Sequence, residues 1–348
     1  MMQRKGFAIV GAGLWGSQHA HVLSTLPEAL LVGIFDTDPG RAEALRERSG
    51  ARRTYPDLAT LLADPEVDAV TVATPDFAHA EVILAALAAG RDVLSEKPLA
   101  TTVEESETVV AAARRSGRKL MVDFHNRVSP AIAAARACVA AGEIGRPLHL
   151  SARLNNTTFV PLEMLSWAGR SSALWFLGSH AVDALRFITG DEVRRVQALR
   201  RGGYLEAKGV STADVHLALL EFASGAIATL ENSWVLPPDS PLVFDFRLEI
   251  VGEKGALQIS TADNGAFRKF TGAGLRTTDL FGSVPAAGPR IGGFVYESIA
   301  RFVDAVVADA PLLAGPEDGL AATRILAAIE QAAASGVAVS VPGAIARA

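Results

Sequence analysis

The sequence of 348 residues has one cysteine, few aromatic side chains and no long apolar run free of charge. Because Cys138 stands alone, an internal disulfide and any metal site built from several cysteines are excluded, and a reducing compartment fits. We expect Cys138 to be a small apolar residue of the core. Since no run of 18 apolar residues lacks charge, no membrane-spanning helix is predicted.

The chain also lacks a basic run. Lys and Arg total 33 against 38 Asp and Glu, a net charge of -5, which argues against nucleic acid as a partner. Two positive charges near the N-terminus precede apolar residues, but glycines interrupt that run and no clean cleavage site follows, so we reject a signal peptide. The expectation is a cytoplasmic protein without a membrane or nucleic-acid partner.

Short β-type runs alternate with helical patterns over the first third of the chain. The predicted strands cover residues 7–10, 30–36, 69–73, 92–95 and 119–124. The predicted helices cover residues 19–26, 41–49, 78–89 and 103–116. This alternation is typical of a parallel sheet with helices on both faces, and the chain length predicts two domains.

After residue 147 longer strand-like runs dominate, and short turns between them predict antiparallel hairpins. The predicted strands cover residues 148–155, 193–201, 212–222, 226–235, 242–251 and 256–260. Helical patterns return over 294–308 and 317–334, after a predicted loop at 261–293. The predicted fold is therefore α/β: a nucleotide-type domain over 1–124, then an α+β domain over 125–348 with a large, mainly antiparallel sheet.

The first predicted strand runs directly into the segment GAGLWG, which begins at Gly11. In a dinucleotide-binding turn Gly11 permits the tight turn, Gly13 lets the backbone approach a pyrophosphate, and Gly16 lets the helix pack on the strand. Leu14 and Trp15 lie within this segment, ahead of a helix whose N-terminal N–H groups attract phosphate. A glycine-rich turn without a ligand is the alternative.

Asp36 ends the second predicted strand, 20 residues after Gly16. A carboxylate at this place accepts hydrogen bonds from the adenosine ribose hydroxyls and favours NAD, since a 2′-phosphate would meet a like charge. Arg41 lies near enough in sequence to keep NADP open. Alternatively, Asp36 and Asp38 simply cap the next helix.

The next two strands end in the segments ATPDFAH and SEKP. Ligands of open α/β sheets bind at the carboxyl ends of strands, so this edge is expected to contact the cofactor. The residues concerned are Thr74, Pro75, His79, Glu96 and Lys97. Lys97 would hold or polarise a substrate hydroxyl, and a surface lysine at an ordinary strand end is the alternative.

A single histidine and a single aspartate, His180 and Asp183, lie in the apolar helical stretch SSALWFLGSHAVDALRF. Helical spacing places Phe176, His180 and Asp183 on one face. The spacing alone does not decide between a catalytic base and a hydrogen-bonded core histidine.

Three segments, GAGLWG, ATPDFAHAEVILAALAAGRDVLSEKPLATTVEES and GSHAVD, resemble the Gfo/Idh/MocA family of oxidoreductases. The resemblance implies a Rossmann domain, an open-faced antiparallel sheet that often mediates oligomers, and nicotinamide-dependent oxidation or reduction of a sugar, cyclitol or related polyol. It also implies that Lys97 is the catalytic or substrate-anchoring lysine, that His180 is the acid/base, and that Pro98 follows a cis peptide bond.

One position departs from that family. Its sugar and inositol dehydrogenases usually carry an aspartate four residues before the histidine, where this chain has Phe176. The expected catalytic set is thus Lys97 and His180, with Asp183 orienting the imidazole. Phe176 predicts a less polar wall beside the reacting hydroxyl.

Further side chains are candidates for the substrate site, with core packing or a polar loop as the alternative for each. They are His125, Asn126, Arg127, Asn155, Asn156, Trp167 and Trp234. No metal is expected, because His19 and His21 do not share a helix face and no His, Asp or Glu cluster has metal-ligand spacing.

The sequence therefore predicts an NAD-dependent dehydrogenase, with NADP possible as cofactor, that acts on a secondary hydroxyl of a sugar, cyclitol or derivative. His180 would take the hydroxyl proton and Lys97 would hold the oxygen. We expect a homo-oligomer, a dimer or tetramer, assembled through the C-terminal sheet. Two alternatives stay open: a lyase or glycosidase that oxidises its substrate only transiently, and a non-catalytic dinucleotide and sugar sensor.

Overall fold

A computed structural model describes residues 4–261, 268–271, 274–277, 284–285 and 291–343. The chain forms two compact units, the first from residues 1–125 and 283–323, the second from residues 126–282 and 324–348. The first change of unit lies one residue from the predicted boundary. The prediction that the whole C-terminal part joins the second domain differs from this division, because residues 283–323 belong to the first unit.

The first unit contains a six-stranded sheet in which every strand pair is parallel. Its strands are β1 Lys5–Val10, β2 Ala29–Phe35, β3 Arg53–Thr54, β4 Ala69–Val72, β5 Asp92–Ser95 and β6 Leu120–Val122. The spatial order is β3-β2-β1-β4-β5-β6. Their nearly continuous apolar sequences suit strands buried on both faces. The predicted parallel sheet is confirmed, and β3 was not predicted.

Five helices alternate with these strands. They are α1 Leu14–Thr25, α2 Pro39–Ser49, α3 Leu58–Ala63, α4 His79–Ala88 and α5 Val103–Ser116. Thr102 caps α5 by accepting a hydrogen bond from the backbone N–H of Glu105 at 3.2 Å, and α5 ends at Gly117 in the left-handed conformation. Helix α1 starts at Leu14 rather than at residue 19, and α3 was not predicted.

The second unit contains a seven-stranded sheet that is antiparallel except for one central parallel pair. Its first strands are β7 Pro147–Thr157, β8 Val193–Arg201, β9 Val215–Phe222, β10 Ile227–Leu236, β11 Phe244–Gly252 and β12 Ala256–Ser260. Two separate short hairpins follow in the chain, β13 Arg268–Thr271 with β14 Gly274–Thr277 and β15 Val284–Pro285 with β16 Ile291–Gly292, and the second of them belongs to the first unit. The edge strand β17, Val339–Ser340, completes the large sheet in the order β12-β11-β7-β10-β9-β8-β17.

The predicted loop at 261–293 is described only in part. Its described residues are the two short hairpins with Thr261 and Gly293 at the ends, whereas residues 262–267, 272–273, 278–283 and 286–290 lie outside the described residues. The mainly antiparallel character of the large sheet is confirmed. Burial alternates along β9, so that Ala218, Leu220 and Phe222 are buried while Leu217 and Leu219 are exposed. One face of this sheet is therefore covered and the other is open.

The described residues contain four further α-helices: α6 Pro130–Ala140, α7 Ser179–Thr189, α8 Phe294–Ala308 and α9 Pro316–Ser335. Helix α6 was not predicted, and it carries Cys138. It buries only Ile132 and Ala135, so Cys138 is half-buried, with its Sγ 3.5 Å from the Glu143 carboxylate. The prediction of a core cysteine is wrong. No helix in the described ranges is long and apolar enough to cross a membrane.

Helix α8 belongs to the first unit because its apolar side packs there. The Phe302 ring meets the Phe7 ring edge-on, with 6.2 Å between centroids, and both side chains are fully buried. The backbone N–H of Val122 donates to the carbonyl of Ala314 at 3.1 Å. These contacts are long-range in sequence, which is why the strand and helix pattern alone put α8 in the wrong unit.

Candidate functional site

The glycine turn lies between β1 and α1. Gly11 has a φ of +101°, and a Cβ there would lie 2.5 Å from the carbonyl oxygen of Ala73. A Cβ on Gly16 would lie 1.8 Å from the carbonyl oxygen of Gly11. Around Gly13, by contrast, no described heavy atom lies within 4 Å of that position. Gly11 and Gly16 are thus required by close packing, while the open side at Gly13 fits a pyrophosphate.

Asp36 is held against this turn. Its Oδ2 accepts a hydrogen bond from the backbone N–H of Ala12 at 2.7 Å, and its Oδ1 accepts one from Asp38 N–H at 2.8 Å. The cap of α2 is Asp38, which accepts from the N–H groups of Gly40 and Arg41 at 2.9 and 3.3 Å. The capping alternative therefore holds for Asp38 and not for Asp36, whose carboxylate has lone pairs left for ribose hydroxyls.

The Arg41 side chain pairs with the carboxylate of Asp38. Its Nε lies 3.5 Å from an Asp38 oxygen, and both side chains are largely exposed. A 2′-phosphate would compete with that carboxylate and would also face Asp36. This arrangement fits NAD better than NADP.

The segment after β4, at Thr74 and Pro75, is connected through hydrogen bonds of His79 to the segment that follows β5. His79 is buried, with its Nδ1 2.7 Å from the carbonyl oxygen of Pro98 and its Nε2 3.0 Å from that of Thr74. The ring therefore joins two loops of the strand edge, and the peptide bond Lys97–Pro98 is cis, as expected.

Several buried polar atoms near this edge have no hydrogen-bond partner among the residues that the structure describes, and two of them belong to residues of the predicted cofactor site and its glycine turn. These two are the Thr74 hydroxyl oxygen and the Trp15 indole nitrogen. Leu14, also predicted to contact the cofactor, is 56% exposed. Buried polar atoms in folded proteins are normally satisfied, so these two are candidates for contacts with a bound ligand.

Lys97 and Glu96 lie in a buried polar cluster. Lys97 is 4% exposed. The Nε2 of His19 lies 3.2 Å from a Glu96 oxygen and 3.9 Å from a carboxylate oxygen of Asp123, and Ser298 donates its hydroxyl to the other oxygen of Asp123. Glu96, predicted to contact the cofactor, thus has His19 as a direct partner.

Sequence reasoning missed this cluster. His19 and Glu96 are 77 residues apart, and only the convergence of α1 with the ends of β5 and β6 brings them together. His19, Glu96 and Asp123 offer ligand atoms within 4.8 Å of one another, yet the His19–Glu96 distance is that of a direct hydrogen bond. The expectation of no metal stays a prediction. His21, in contrast, is exposed.

Burial sets the protonation of the cluster. Burial and the negative charge of Glu96 raise the pKa of Asp123 to about 7. Burial acts to raise the pKa of Glu96. The hydrogen bond from His19 and the nearby cations have the larger effect, so the pKa of Glu96 lies below its ordinary value. Burial lowers the pKa of Lys97, and the carboxylates around it oppose this shift.

His125 lies in a stack of rings within the first unit. Trp15 stacks on it with 5.5 Å between centroids and 25° between planes, and Phe294 lies 5.5 Å away. Burial lowers the pKa of His125 to about 4, so the ring is neutral at physiological pH. His125, a predicted substrate residue, therefore stacks on Trp15 of the segment GAGLWG.

In the second unit His180 is 7% exposed near the start of α7. A wide π-type turn, Leu174–Gly178, directly precedes α7, and another, Val160–Met164, lies upstream. Such turns are rare and recur at functional sites. They are a feature that the sequence did not predict.

Phe176 belongs to an aromatic cluster. Its ring lies 6.0 Å from that of Trp167 and 5.8 Å from that of Trp234. Trp234 is fully buried, which supports core packing for this side chain, whereas Trp167 and Phe176 are half-buried. The apolar wall expected from Phe176 stays a prediction, and this cluster supports it.

Asp183 and Arg127 form a buried ion pair. Arg127 donates from Nε to Oδ2 at 2.9 Å and from a terminal nitrogen to Oδ1 at 2.6 Å. Arg186 lies 3.8 Å from the same carboxylate and bonds Glu192 at 2.7 Å. The sequence assigned Asp183 to the imidazole and Arg127 to the substrate. The structure adds this bidentate pair, which no spacing rule predicted.

The two asparagines of β7 are engaged within the sheet. The amide of Asn155 donates to Glu231, and that of Asn156 donates to the carbonyl of Val243 at 3.4 Å. Both side chains are buried. These contacts support the packing alternative for both residues.

A parallel sheet with a dinucleotide turn, a carboxylate at the end of β2 and a buried lysine at the end of β5 define a nicotinamide-dependent oxidoreductase. Residues 5–124 match the family model described as "Oxidoreductase family, NAD-binding Rossmann fold", and residues 132–258 match that of the "GFO/IDH/MocA C-terminal domain". The chain belongs to the GFO/IDH/MocA family. The predicted family, fold class and NAD cofactor are thereby confirmed.

Named relatives agree with this assignment. The chain is 34% identical to an inositol 2-dehydrogenase of Acidothermus cellulolyticus over 73% of this chain and 72% of that protein. It is 31% identical to the scyllo-inositol 2-dehydrogenase (NAD(+)) of Bacillus subtilis over 73% of each chain. The crystal structure of GenD2 from gentamicin A biosynthesis, in complex with NAD, is 28% identical with a TM-score of 0.85, covering 98% of this chain and 97% of that one.

Proposed function

We propose that this protein is an NAD-dependent dehydrogenase that moves hydride between nicotinamide and a secondary hydroxyl or ketone of a cyclitol, a sugar or a derivative. The observation that carries the proposal is the burial of Lys97 at the end of β5, in a unit whose glycine turn and Asp36 fit a dinucleotide. The names of the relatives support the substrate class. A cytoplasmic location, which the single thiol Cys138 fits, is part of the proposal.

In this proposal each candidate residue has a defined task. The turn from Gly11 to Gly16 and the carboxylate of Asp36 would hold NAD, which supplies the hydride chemistry when bound. The ammonium of Lys97 would hold the substrate oxygen and balance the charge that develops on it. His180 would take the hydroxyl proton during oxidation and return it during reduction.

The test is a panel of inositols, monosaccharides, sugar acids and deoxy analogues with NAD and NADP, followed by the absorbance of reduced nicotinamide. We expect net formation of NADH with at least one cyclitol or sugar. Because Phe176 replaces a polar group, we expect substrates with fewer hydroxyls near the reacting carbon to be used best. Cleavage or elimination without net NADH would favour the lyase or glycosidase alternative, and binding without any turnover would favour the sensor.

Asp36→Ser tests the assignment of the cofactor. The variant loses a charged acceptor for the ribose hydroxyls, worth about 1.5 to 3 kcal/mol, so kcat/KM with NAD should fall about 10- to 100-fold relative to kcat/KM with NADP. The measurement is the ratio of kcat/KM for the two cofactors. Asp57→Ser is the matched control, because it removes an exposed carboxylate from the cap of α3, where serine also caps, and should leave that ratio unchanged. A wild-type preference for NADP would contradict the role of Asp36.

We also propose that a second copy of this chain covers the open face of the large sheet. Leu199 and Leu219 are 72% and 55% exposed there, and Leu217 and Val337 line the same shallow groove. Arginine and glutamate side chains line the same groove: Arg153, Glu231, Arg247 and Glu249. A patch that combines exposed apolar residues with both charges can complement a second copy of itself, as a two-fold interface requires.

The double variant Leu199→Glu with Leu219→Glu tests this surface. Buried in an interface, two added carboxylates would face an apolar surface and each other, so the variant should dissociate to half the wild-type mass or less. Light scattering after size exclusion measures the mass. Tyr204→Ser, which changes an exposed aromatic residue off the sheet, serves as the control. A monomeric wild type, or an unchanged mass in the double variant, would refute the interface.

A further inference from the structure

The buried cluster around His19 contains more ionisable groups than the proposed reaction uses. Elements of the first unit contribute them from α1, from the ends of β4, β5 and β6, and from α8. The groups are His19, Asp76, Glu96, Lys97, Asp123 and His125, with the hydroxyl of Ser298. All of them are buried, and a buried charge is stable only where other groups compensate it.

Lys97 depends on this compensation. A lysine removed from water loses its proton readily, because burial penalises the ammonium form. Glu96 directly precedes Lys97, and the backbone N–H of Asp123 donates to the carbonyl of Ser95 at 2.8 Å, so both carboxylates lie at the same strand ends as Lys97. Together with Asp76 they oppose that penalty by their negative charge. His125 adds no cation at neutral pH, because burial lowers its pKa to about 4.

His19 and Ser298 hold the carboxylates in place. The Nε2 of His19 lies within 3.9 Å of oxygens on both Glu96 and Asp123, and Ser298 donates a hydrogen bond to Asp123. Hydrogen bonds to an ionised carboxylate stabilise its charged form. The geometry therefore maintains negative charge in the interior where the buried lysine needs it.

We propose that His19, Glu96 and Asp123 act on the reaction through Lys97, by keeping its side chain an ammonium ion at the pH at which the enzyme works. They are positioning residues, and the proposal rests on the function proposed above for Lys97. An ammonium can hold the substrate oxygen and balance its developing charge, whereas a neutral amine balances no charge.

Asp123→Asn tests the proposal, since above the pKa of Asp123, about 7, it removes one negative charge with little change of shape. The Lys97 pKa is measured directly from the pH dependence of the lysine Nζ chemical shift in protein with isotope-labelled lysine. The chain has six lysines, and Lys97→Met assigns the signal. We expect the pKa of Lys97 to fall by about one unit or more in Asp123→Asn, and the signal of exposed Lys208 is the internal control.

The pH profile of kcat/KM gives a second readout. Because the proposed role needs the protonated form of Lys97, the alkaline limb of the profile should move to lower pH by the same amount as the measured pKa. A merely structural effect of Asp123→Asn would lower kcat/KM at every pH and leave the limb in place. An unchanged Lys97 titration overturns the inference even if the enzyme turns over sugars. Conversely, a wild type without turnover would refute the proposed function, and the titration would still decide this inference.

Ser298→Ala keeps the proposal testable if Asp123→Asn does not fold. It removes one hydrogen bond from the Asp123 carboxylate, so the pKa of Lys97 should fall in the same direction by a smaller amount. No change in this variant would also overturn the proposal. Elemental analysis of the purified protein tests whether the cluster instead binds a metal ion. One equivalent of a divalent metal, lost in Asp123→Asn, would make the cluster a metal site and refute the role proposed here.

Discussion

Lys97→Ala and His180→Ala will each lower kcat/KM by about a thousandfold. Removal of a proton-transfer group or of a charge that stabilises the transition state commonly costs 10²- to 10⁴-fold. NADH binding, followed by the fluorescence of the bound cofactor, should change little, because the glycine turn and Asp36 remain. The measurement is initial-rate kinetics on the best substrate of the panel.

Two matched variants control for the loss of a lysine or a histidine elsewhere. Lys208→Ala and His149→Ala change exposed residues of the same type and should retain the wild-type rate within about a factor of two. If either site variant turns over substrate at the wild-type rate, its assigned role is wrong. Loss of NADH binding in Lys97→Ala would show instead that this lysine mainly supports the cofactor.

Arg127→Met will destabilise the second unit by about 3 to 5 kcal/mol. It leaves the buried carboxylate of Asp183 without its bidentate partner, and breaking a buried ion pair from one side typically costs that much. The free energy of unfolding in urea, monitored by circular dichroism and by tryptophan fluorescence, measures the loss. His180 lies on the same helix as Asp183, so we also expect kcat to fall.

The double variant Arg127→Met with Asp183→Leu separates charge from packing. With both charges replaced by apolar groups, much of the lost stability should return, because no unpaired ion stays buried. The exposed pair of Arg114 and Glu317 is the control, and Arg114→Ala should cost at most about 1 kcal/mol. Equal losses in the single and the double variant would show that packing, not the charge pair, dominates this site.

Local sequence signals predicted much of the first unit. The apolar runs that become β1, β2, β4 and β5 are bounded by turns, and a parallel sheet follows from their alternation with helices. The start of α1 was placed too late, because Gly16 and Trp15 are weak helix formers whose helical state is decided by packing. Helices α3 and α6 are short or alanine-rich, so their periodicity is weak.

The candidate site was predictable only where its residues follow one another in the chain. The glycine turn, Asp36 and Lys97 each belong to a local pattern whose physical reason can be stated. Asp123 and His19 meet Glu96 through tertiary packing, and Arg127 is 56 residues from Asp183, so no spacing rule reaches these partners. Such long-range contacts are specified by the whole fold, and they place charged groups next to the residues of the local motifs.

Residues 283–323 belong to the first unit, so this unit cannot finish folding during synthesis until they have been translated. The ribosome releases the chain from its N-terminus, so the parallel sheet emerges long before Phe302 and Ala314 exist to complete it. Until then the aromatic face at Phe7 lacks its partner, and the second unit is almost fully synthesised before the first can close. A nascent chain of this protein therefore exposes the apolar surface around Phe7 until α8 has been synthesised, which is a consequence of where α8 lies in the sequence.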